Sequence, residues 1–213
     1  MADKRMLAID LGGSGGRCTY GLYNGKKLRV QQLHKFDNPP IDKNGFCCWN
    51  EPYMWSQIEH GIFKAGAERA LHSVGVDSWG CDFALLDHKG GLVEQPVSYR
   101  DKKTNSVRAE FSQKISEEQL YKLMGVKELC SSTTMRLCYL SQHAPDILEK
   151  ADRLLFLPDY FNYRLSGEPS CEYTIASTAQ LLNLQTAEWN HSLMNRLGIS
   201  THLFREEIGR AHV

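Results

Sequence analysis

Apolar residues crowd into Arg5–Leu11 (RMLAIDL), a run too short for a helix and closed by glycines, which predicts a buried strand. RCTYGLY at 17–23 predicts a second strand, and Asn24-Gly25-Lys26 behind it is a strong hairpin turn. Residues 27–36 (KLRVQQLHKF) alternate well enough to make a third. A loop carrying NPP and KNG follows and ends at Trp49. Residues 51–71 place apolar side chains at helical spacing behind Pro52, which predicts a helix. SVGVDSW (73–79) is the next buried strand, and DFALLD (82–87) another, closed by the HKGG turn. Beyond residue 100 the spacing turns helical over 105–113, 116–124 and 133–143. A short strand at 153–157 interrupts it, and 158–165 form a helix with Pro158 at its N-terminus. Three meandering strands, a helix and a further strand predict an α/β chain: a mixed sheet flanked by helices in a single domain, without internal repeats.

Composition narrows the function. The chain has 213 residues, 42% hydrophobic and 10% aromatic, enough to bury a real core. Lys plus Arg and Asp plus Glu both number 25, with no long block of one sign, so nothing marks a nucleic-acid or anionic-membrane binder. The cysteines (18, 47, 48, 81, 130, 138 and 171) form no CxxC pair, and no histidine stands at zinc spacing from them. This predicts reduced thiols in a reducing compartment. The start is no signal peptide and no run approaches a membrane span, so a soluble, cytoplasmic protein is expected.

The stretch AIDLGGSGGR carries the first candidate chemistry. A dinucleotide GxGxxG fails, because the sixth position from Gly13 is Cys18, and no Lys-Ser or Lys-Thr closes a Walker loop. Both of those loops also lead into helices, whereas here a hairpin follows. The glycines therefore sit at the tip between the first two strands. Backbone N–H groups there can form an anion-binding concavity, helped by positive φ and close approach. Ser14 adds a hydroxyl donor, Arg17 can reach a phosphate oxygen, and Asp10 is placed to hold a magnesium-bound water. A plain glycine-rich hairpin, with Asp10 capping its own turn, explains the same residues.

AIDLGGSGGR also resembles the opening of sugar kinases of the FGGY carbohydrate kinase family, of the form D-L-G-x-S-x-G-R, matched by Asp10 through Arg17. NGFCCWN (44–50), VGVDSWGCDFALLD (74–87), PVSYRDKKTN (96–105), LPDYFNYRLSGE (157–168) and EYTIASTAQLLN (172–183) match in the same order, so the resemblance covers roughly residues 6–206. It implies an actin-like, ribonuclease H-like ATPase domain whose Gly13, Ser14, Gly15, Gly16 and Arg17 contact the phosphates of ATP, with magnesium as the metal. It implies that Gly80 and Asp82 line a sugar pocket, where Gly80 lets a ketose approach the backbone and Asp82 accepts from hydroxyls. Asp82 can equally be bonded to a neighbouring loop. Trp79 is expected to pack in the core and the YRD triplet (99–101) to form a structural ion pair. Ser131, Ser132 and Thr133 lie in a segment that often reaches the sugar in the family, and Cys130-Ser131-Ser132 departs from the family pattern.

The implied reaction transfers the γ-phosphoryl group of ATP to the 1-hydroxyl of L-rhamnulose. The family's base is an aspartate in an HDT-like motif opening a second, C-terminal domain. This chain contains no such motif, since PDY (158–160) and LLDH (85–88) stand in the wrong context. No catalytic base is therefore expected here. Residues 1–207 are expected to be the family's N-terminal domain, the ATP-binding C-terminal domain being absent. Ile208–Val213, whose codons can spell a sequencing adapter, are expected to be a non-native tail, the alternative being a native segment in which GRAHV loosely resembles a PG-x-V-I-G turn of the family. The alternatives are a kinase for another ketose such as fuculose, a non-catalytic sugar-binding module, and an actin-fold ATPase acting on no sugar.

Overall fold

The computed structural model describes residues 3–67, 70–127, 130–183, 185–205 and 208–209. Its elements run as strands β1 (Lys4–Leu11), β2 (Gly15–Tyr23) and β3 (Leu28–Asp37), helix α1 (Glu51–Gly66), and strands β4 (Ser73–Ser78) and β5 (Phe83–Leu86). Helices α2 (Arg108–Lys114), α3 (Glu117–Met124), α4 (Thr133–His143) and α5 (Pro145–Lys150) follow. Strand β6 (Arg153–Phe156) then leads directly into α6 (Leu157–Ser166), and α7 (Tyr173–Ser177) and α8 (His191–Leu197) are the last of the described α-helices. The chain divides into two compact units, residues 1–41 with 49–79, and residues 42–48 with 80–213.

The first unit is a four-stranded mixed sheet in the order β3-β2-β1-β4. β1 pairs antiparallel with β2 and parallel with β4, and β2 pairs antiparallel with β3. The tight Asn24–Lys27 turn closes the hairpin, Asn24 accepting from the amides of Lys26 and Lys27, with Gly25 at φ +89°. α1 starts where Asn50 accepts from the Tyr53 amide, with Pro52 in its first turn, where a missing N–H costs nothing. Its buried face (Met54, Ile58, Ala65) belongs to the same core as Leu7, Ile9, Leu11, Cys18 and Phe36. Within β1 burial alternates, so the expectation of a fully buried strand holds for one face only; Asp10 stands on the other. The helix ends at Gly66; of the expected span to residue 71, positions 68 and 69 lie outside the described residues.

Gly61 lets α1 approach β2. A Cβ there would collide with Cys18 Sγ and come within 2.8 Å of Cys18 Cβ, an atom that cannot swing away. Gly61→Ala gains about 1 kcal/mol of helix propensity, but overpacking against an immovable Cβ costs towards the upper end of about 1–3 kcal/mol, so a net loss of up to about 2 kcal/mol is expected. Urea denaturation measures it, and unchanged stability would mean that helix and sheet separate freely.

The second unit places β5 and β6 in their own antiparallel sheet, Phe83 opposite Phe156. All four β5 residues are buried, as an uninterrupted apolar run requires. Its core joins Phe83, Phe111, Leu120, Met135, Phe156 and Met194. α3 carries a complete capping box between Ser116 and Gln119 and stops at Gly125, φ +67°. Three helices went unforeseen: α5, α7 and α8 are seven residues or fewer, too short for a helical period to register. Ile208–Gly209, the first two residues of the expected tail, pair in parallel with Cys171–Glu172; its residues 210–213 lie outside the described residues. No described helix is long and apolar enough to cross a membrane.

Candidate functional site

The glycine tip and the strands behind it form an open cleft of about 450 Å³ lined by Asp10, Gly12, Ser14, Gly15, Gly16, Arg17, Gln32, Lys35 and Asp37. The tip is closed by its own backbone. Gly12 N–H donates to Gly15 O at 2.8 Å, Asn38 N–H to Ser14 O at 3.1 Å, and the Asn38 side-chain amide to Gly12 O at 3.2 Å. None of the tip glycines has a positive φ, so the expected left-handed backbone is not what they provide. They provide close approach. A Cβ at Gly12 would lie 2.8 Å from Gly15 O, one at Gly15 would lie 2.6 Å from Phe36 O, and one at Gly16 would enter the Phe36 ring.

Asp10 does not cap its own turn. Its Oδ2 accepts from Arg17 Nε at 2.7 Å and lies 2.6 Å from Nη2, the two residues standing opposite each other on β1 and β2. Both side chains remain roughly half exposed, 43% and 59%, so the pair meets solvent and contributes little to stability. The pair extends into a charged row across the sheet. Register places Asp77 beside Asp10 and Lys35 beside Arg17, giving the order Asp77, Asp10, Arg17, Lys35. A bulge at Cys18/Thr19, where Leu33 is left out of the pairing, returns Gln32 to the cleft side with Lys35 and Asp37. Gln32, Lys35, Asp37 and Asp77 were not singled out from sequence. The alternation along 35–37 was the available signal for two of them, while the bulge that recovers Gln32 has none.

In the second unit the Gly80–Asp82 segment is a turn gripped from two sides. Cys81 sits at φ +75°, unusual for a residue with a side chain. Its N–H donates to Thr178 Oγ1 at 3.3 Å, and its carbonyl accepts from Thr133 Oγ1 at 2.8 Å. Asp82 is completely buried. Its Oδ1 meets Arg136 Nη1 at 2.6 Å and its Oδ2 accepts from the Tyr99 amide at 3.1 Å. The neighbouring-loop role anticipated as one option thus occupies both carboxylate oxygens. Arg136, itself 2% exposed, donates further to Val97 O and Ser131 O, and its guanidinium lies 5.8 Å from the Phe83 ring centre. Arg136 was missed, because an arginine inside an apolar helix carries no periodic signal of its partner.

Ser132 is spent as the cap of α4, accepting from the Met135 amide, and Ser131 offers its carbonyl to Arg136. Asp101 of the YRD triplet accepts from the amides of Cys47 and Lys103. Trp79 packs on Trp49, ring centres 4.5 Å apart. All seven cysteines are free thiols; burial pushes Cys18 and Cys138 up to about 11 and Cys48 to about 12, which leaves these three inert as nucleophiles near neutrality. Among the described residues no group of three or more His, Cys, Asp or Glu side chains converges to hold a metal.

The model of the N-terminal domain of the FGGY family of carbohydrate kinases matches residues 5–209. A rhamnulokinase of Halalkalibacterium halodurans is 38% identical over 203 residues, covering 94% of this chain and 43% of its own length. Rhamnulokinases of Oceanobacillus iheyensis (37%) and Yersinia pestis (38%) are similar to the chain over comparable stretches. The chain thus spans less than half the length of these relatives. Among solved structures, a gluconate kinase from Lactobacillus acidophilus superposes with a TM-score of 0.84 at 18% identity, over 98% of this chain and 42% of its own. A Plasmodium falciparum glycerol kinase with ADP superposes at 0.77 and 14%, over 92% and 41%. At such identities these two establish the fold alone.

Proposed function

Because the chain belongs to the FGGY family of carbohydrate kinases, whose N-terminal domain it carries, we propose that it is half of a cytoplasmic rhamnulokinase. The complete enzyme would transfer the γ-phosphoryl group of ATP to the 1-hydroxyl of L-rhamnulose, with residues 1–207 as its N-terminal domain. The observation that carries this is the glycine-tip cleft with its cross-strand charged row, in a chain 37–38% identical to rhamnulokinases. In this reading Gly13, Ser14, Gly15 and Gly16 offer backbone N–H groups to the phosphates, and Arg17 supplies positive charge to them. Asp10, with Asp77 beside it in the register, presents the hard oxygen donors that suit a hydrated magnesium ion. Magnesium and ATP would supply charge neutralisation and the transferred group. Gly80 lines the ketose site, and Asp82 acts behind it through Arg136. The general base lies outside this chain, in the C-terminal domain.

The purified chain is expected to bind L-rhamnulose and to phosphorylate none; turnover by it would place a base among these residues and overturn that assignment. In the complete enzyme, Arg17→Ala is expected to lower kcat by a factor on the order of 10²–10³, as loss of one charge-stabilising donor does, with KM for the ketose changed less than about two-fold. Loss of ketose affinity alone would return the loop to a structural role. Because the Cys130-Ser131-Ser132 segment departs from the family pattern, the assay includes L-fuculose, and preference for it would reassign the sugar.

A further inference from the structure

We infer that Thr133 and Thr178 are positioning residues for the ketose site, holding the Gly80–Cys81 turn in a shape it would not keep unaided. The inference rests on the proposed placement of the ketose at Gly80 and concerns residues that need not touch it. Cys81 has a Cβ and stands at φ +75°, where side chains crowd the backbone and conformations persist only when the surroundings over-determine them. The surroundings here are two threonines. Thr133, the first residue of α4 and fully buried, donates its hydroxyl to Cys81 O at 2.8 Å. Thr178, just beyond α7, accepts the Cys81 N–H at 3.3 Å while its own hydroxyl donates to Ile175 O at 2.7 Å. That outgoing bond fixes the hydroxyl's direction and turns its lone pair to Cys81. Both backbone polar groups of Cys81 are thereby held.

Thr178 also shapes the turn sterically. A Cβ on Gly80 would lie 2.9 Å from both Thr178 Cγ2 and Oγ1, so the threonine fills the space a side chain would need. On the far side, Thr133 and Arg136 stand three residues apart on one face of α4 and grip consecutive residues, Cys81 and Asp82. The turn is thus tied to α4 at two points and to the end of α7 at a third. Pre-organisation of this kind lowers the ordering cost of binding and so appears as affinity.

The test uses the purified 213-residue chain, calorimetric titration with L-rhamnulose, and hydrogen exchange of the Cys81 amide. Thr178→Val keeps the shape and removes the hydroxyl; it is expected to weaken L-rhamnulose binding about ten-fold and to speed exchange at Cys81, while Thr178→Ser stays within about two-fold of the parent. Thr133→Val is expected to weaken binding similarly. Adding Cys81→Gly to Thr178→Val is expected to recover most of the affinity, because glycine adopts φ +75° without crowding, and a general loss of packing would not be rescued this way. Unchanged affinity in both valine variants, or absence of rescue by glycine, overturns the inference and leaves the ketose site at Gly80 standing. Failure of the parent chain to bind L-rhamnulose, with Cys81 protected as expected, overturns the site assignment and the positioning role with it. An unprotected Cys81 amide in the parent overturns the clamp directly.

Discussion

Replacing Arg136 with methionine is expected to destabilise the chain by about 3–5 kcal/mol, the cost of leaving a buried partner charge uncompensated. The partner is Asp82, wholly inaccessible, whose carboxylate would lose its guanidinium while still accepting from the Tyr99 amide. Val97 O would lose its donor as well. The pair itself is weak evidence of stabilisation, because desolvating two charges offsets most of their attraction. The double variant Asp82→Asn/Arg136→Met is therefore expected to lose markedly less than Arg136→Met alone. Urea denaturation of the parent, both single variants and the double variant gives the coupling energy as a cycle. A loss below about 1 kcal/mol in Arg136→Met would show that the pair is open to water.

Asp159 is expected to make stability fall as pH rises from about 4 to 7. It lies in the first turn of α6, 3% exposed, and burial pushes its carboxyl from the ordinary 3.8 up to about 7. The Glu172 amide, 3.3 Å from both oxygens, pulls the other way, and the Glu172 charge adds to the rise. Between these two values the folded chain keeps a proton that the unfolded chain has released, so the slope of stability against pH is negative there. Above about 7 both states have lost it and the penalty is complete, at most about 4 kcal/mol for a displacement of this size. Asp159→Asn keeps an acceptor for the Glu172 amide and cannot ionise. Relative to the parent it should gain stability steadily from pH 4 to pH 7 and level off above that, measured by urea denaturation at each pH. A parallel pair of curves would mean that the parent carboxyl titrates normally.

Where one local rule dominates, the chain could be read directly. The Asn24-Gly25 hairpin, the helix behind Pro52 and the strand at 73–78 each follow from neighbours within four residues, although that strand, expected to be buried, has no buried residue. The glycine tip was legible as the turn between the first two strands, but what its glycines do there was not. Positive φ and close approach are both things glycine permits, and only Phe36, on another strand, decides for close approach. Asp82 is harder still. Its sequence context, a polar residue ahead of FALL, suits a pocket carboxylate and a loop anchor equally. The choice depends on Arg136, 54 positions away.

By itself, the sequence determined the class of elements, the hairpin, the glycine tip and the family motifs, because these are short-range patterns of period, turn chemistry and residue identity. Only the tertiary structure decided which charges meet. Strand register lined up Asp77, Asp10, Arg17 and Lys35, a bulge turned Gln32 toward them, and helix α4 brought Thr133 and Arg136 onto the Gly80–Asp82 turn. Register and helix docking are settled by the summed burial of many side chains distant in sequence, so no single stretch of the chain encodes them.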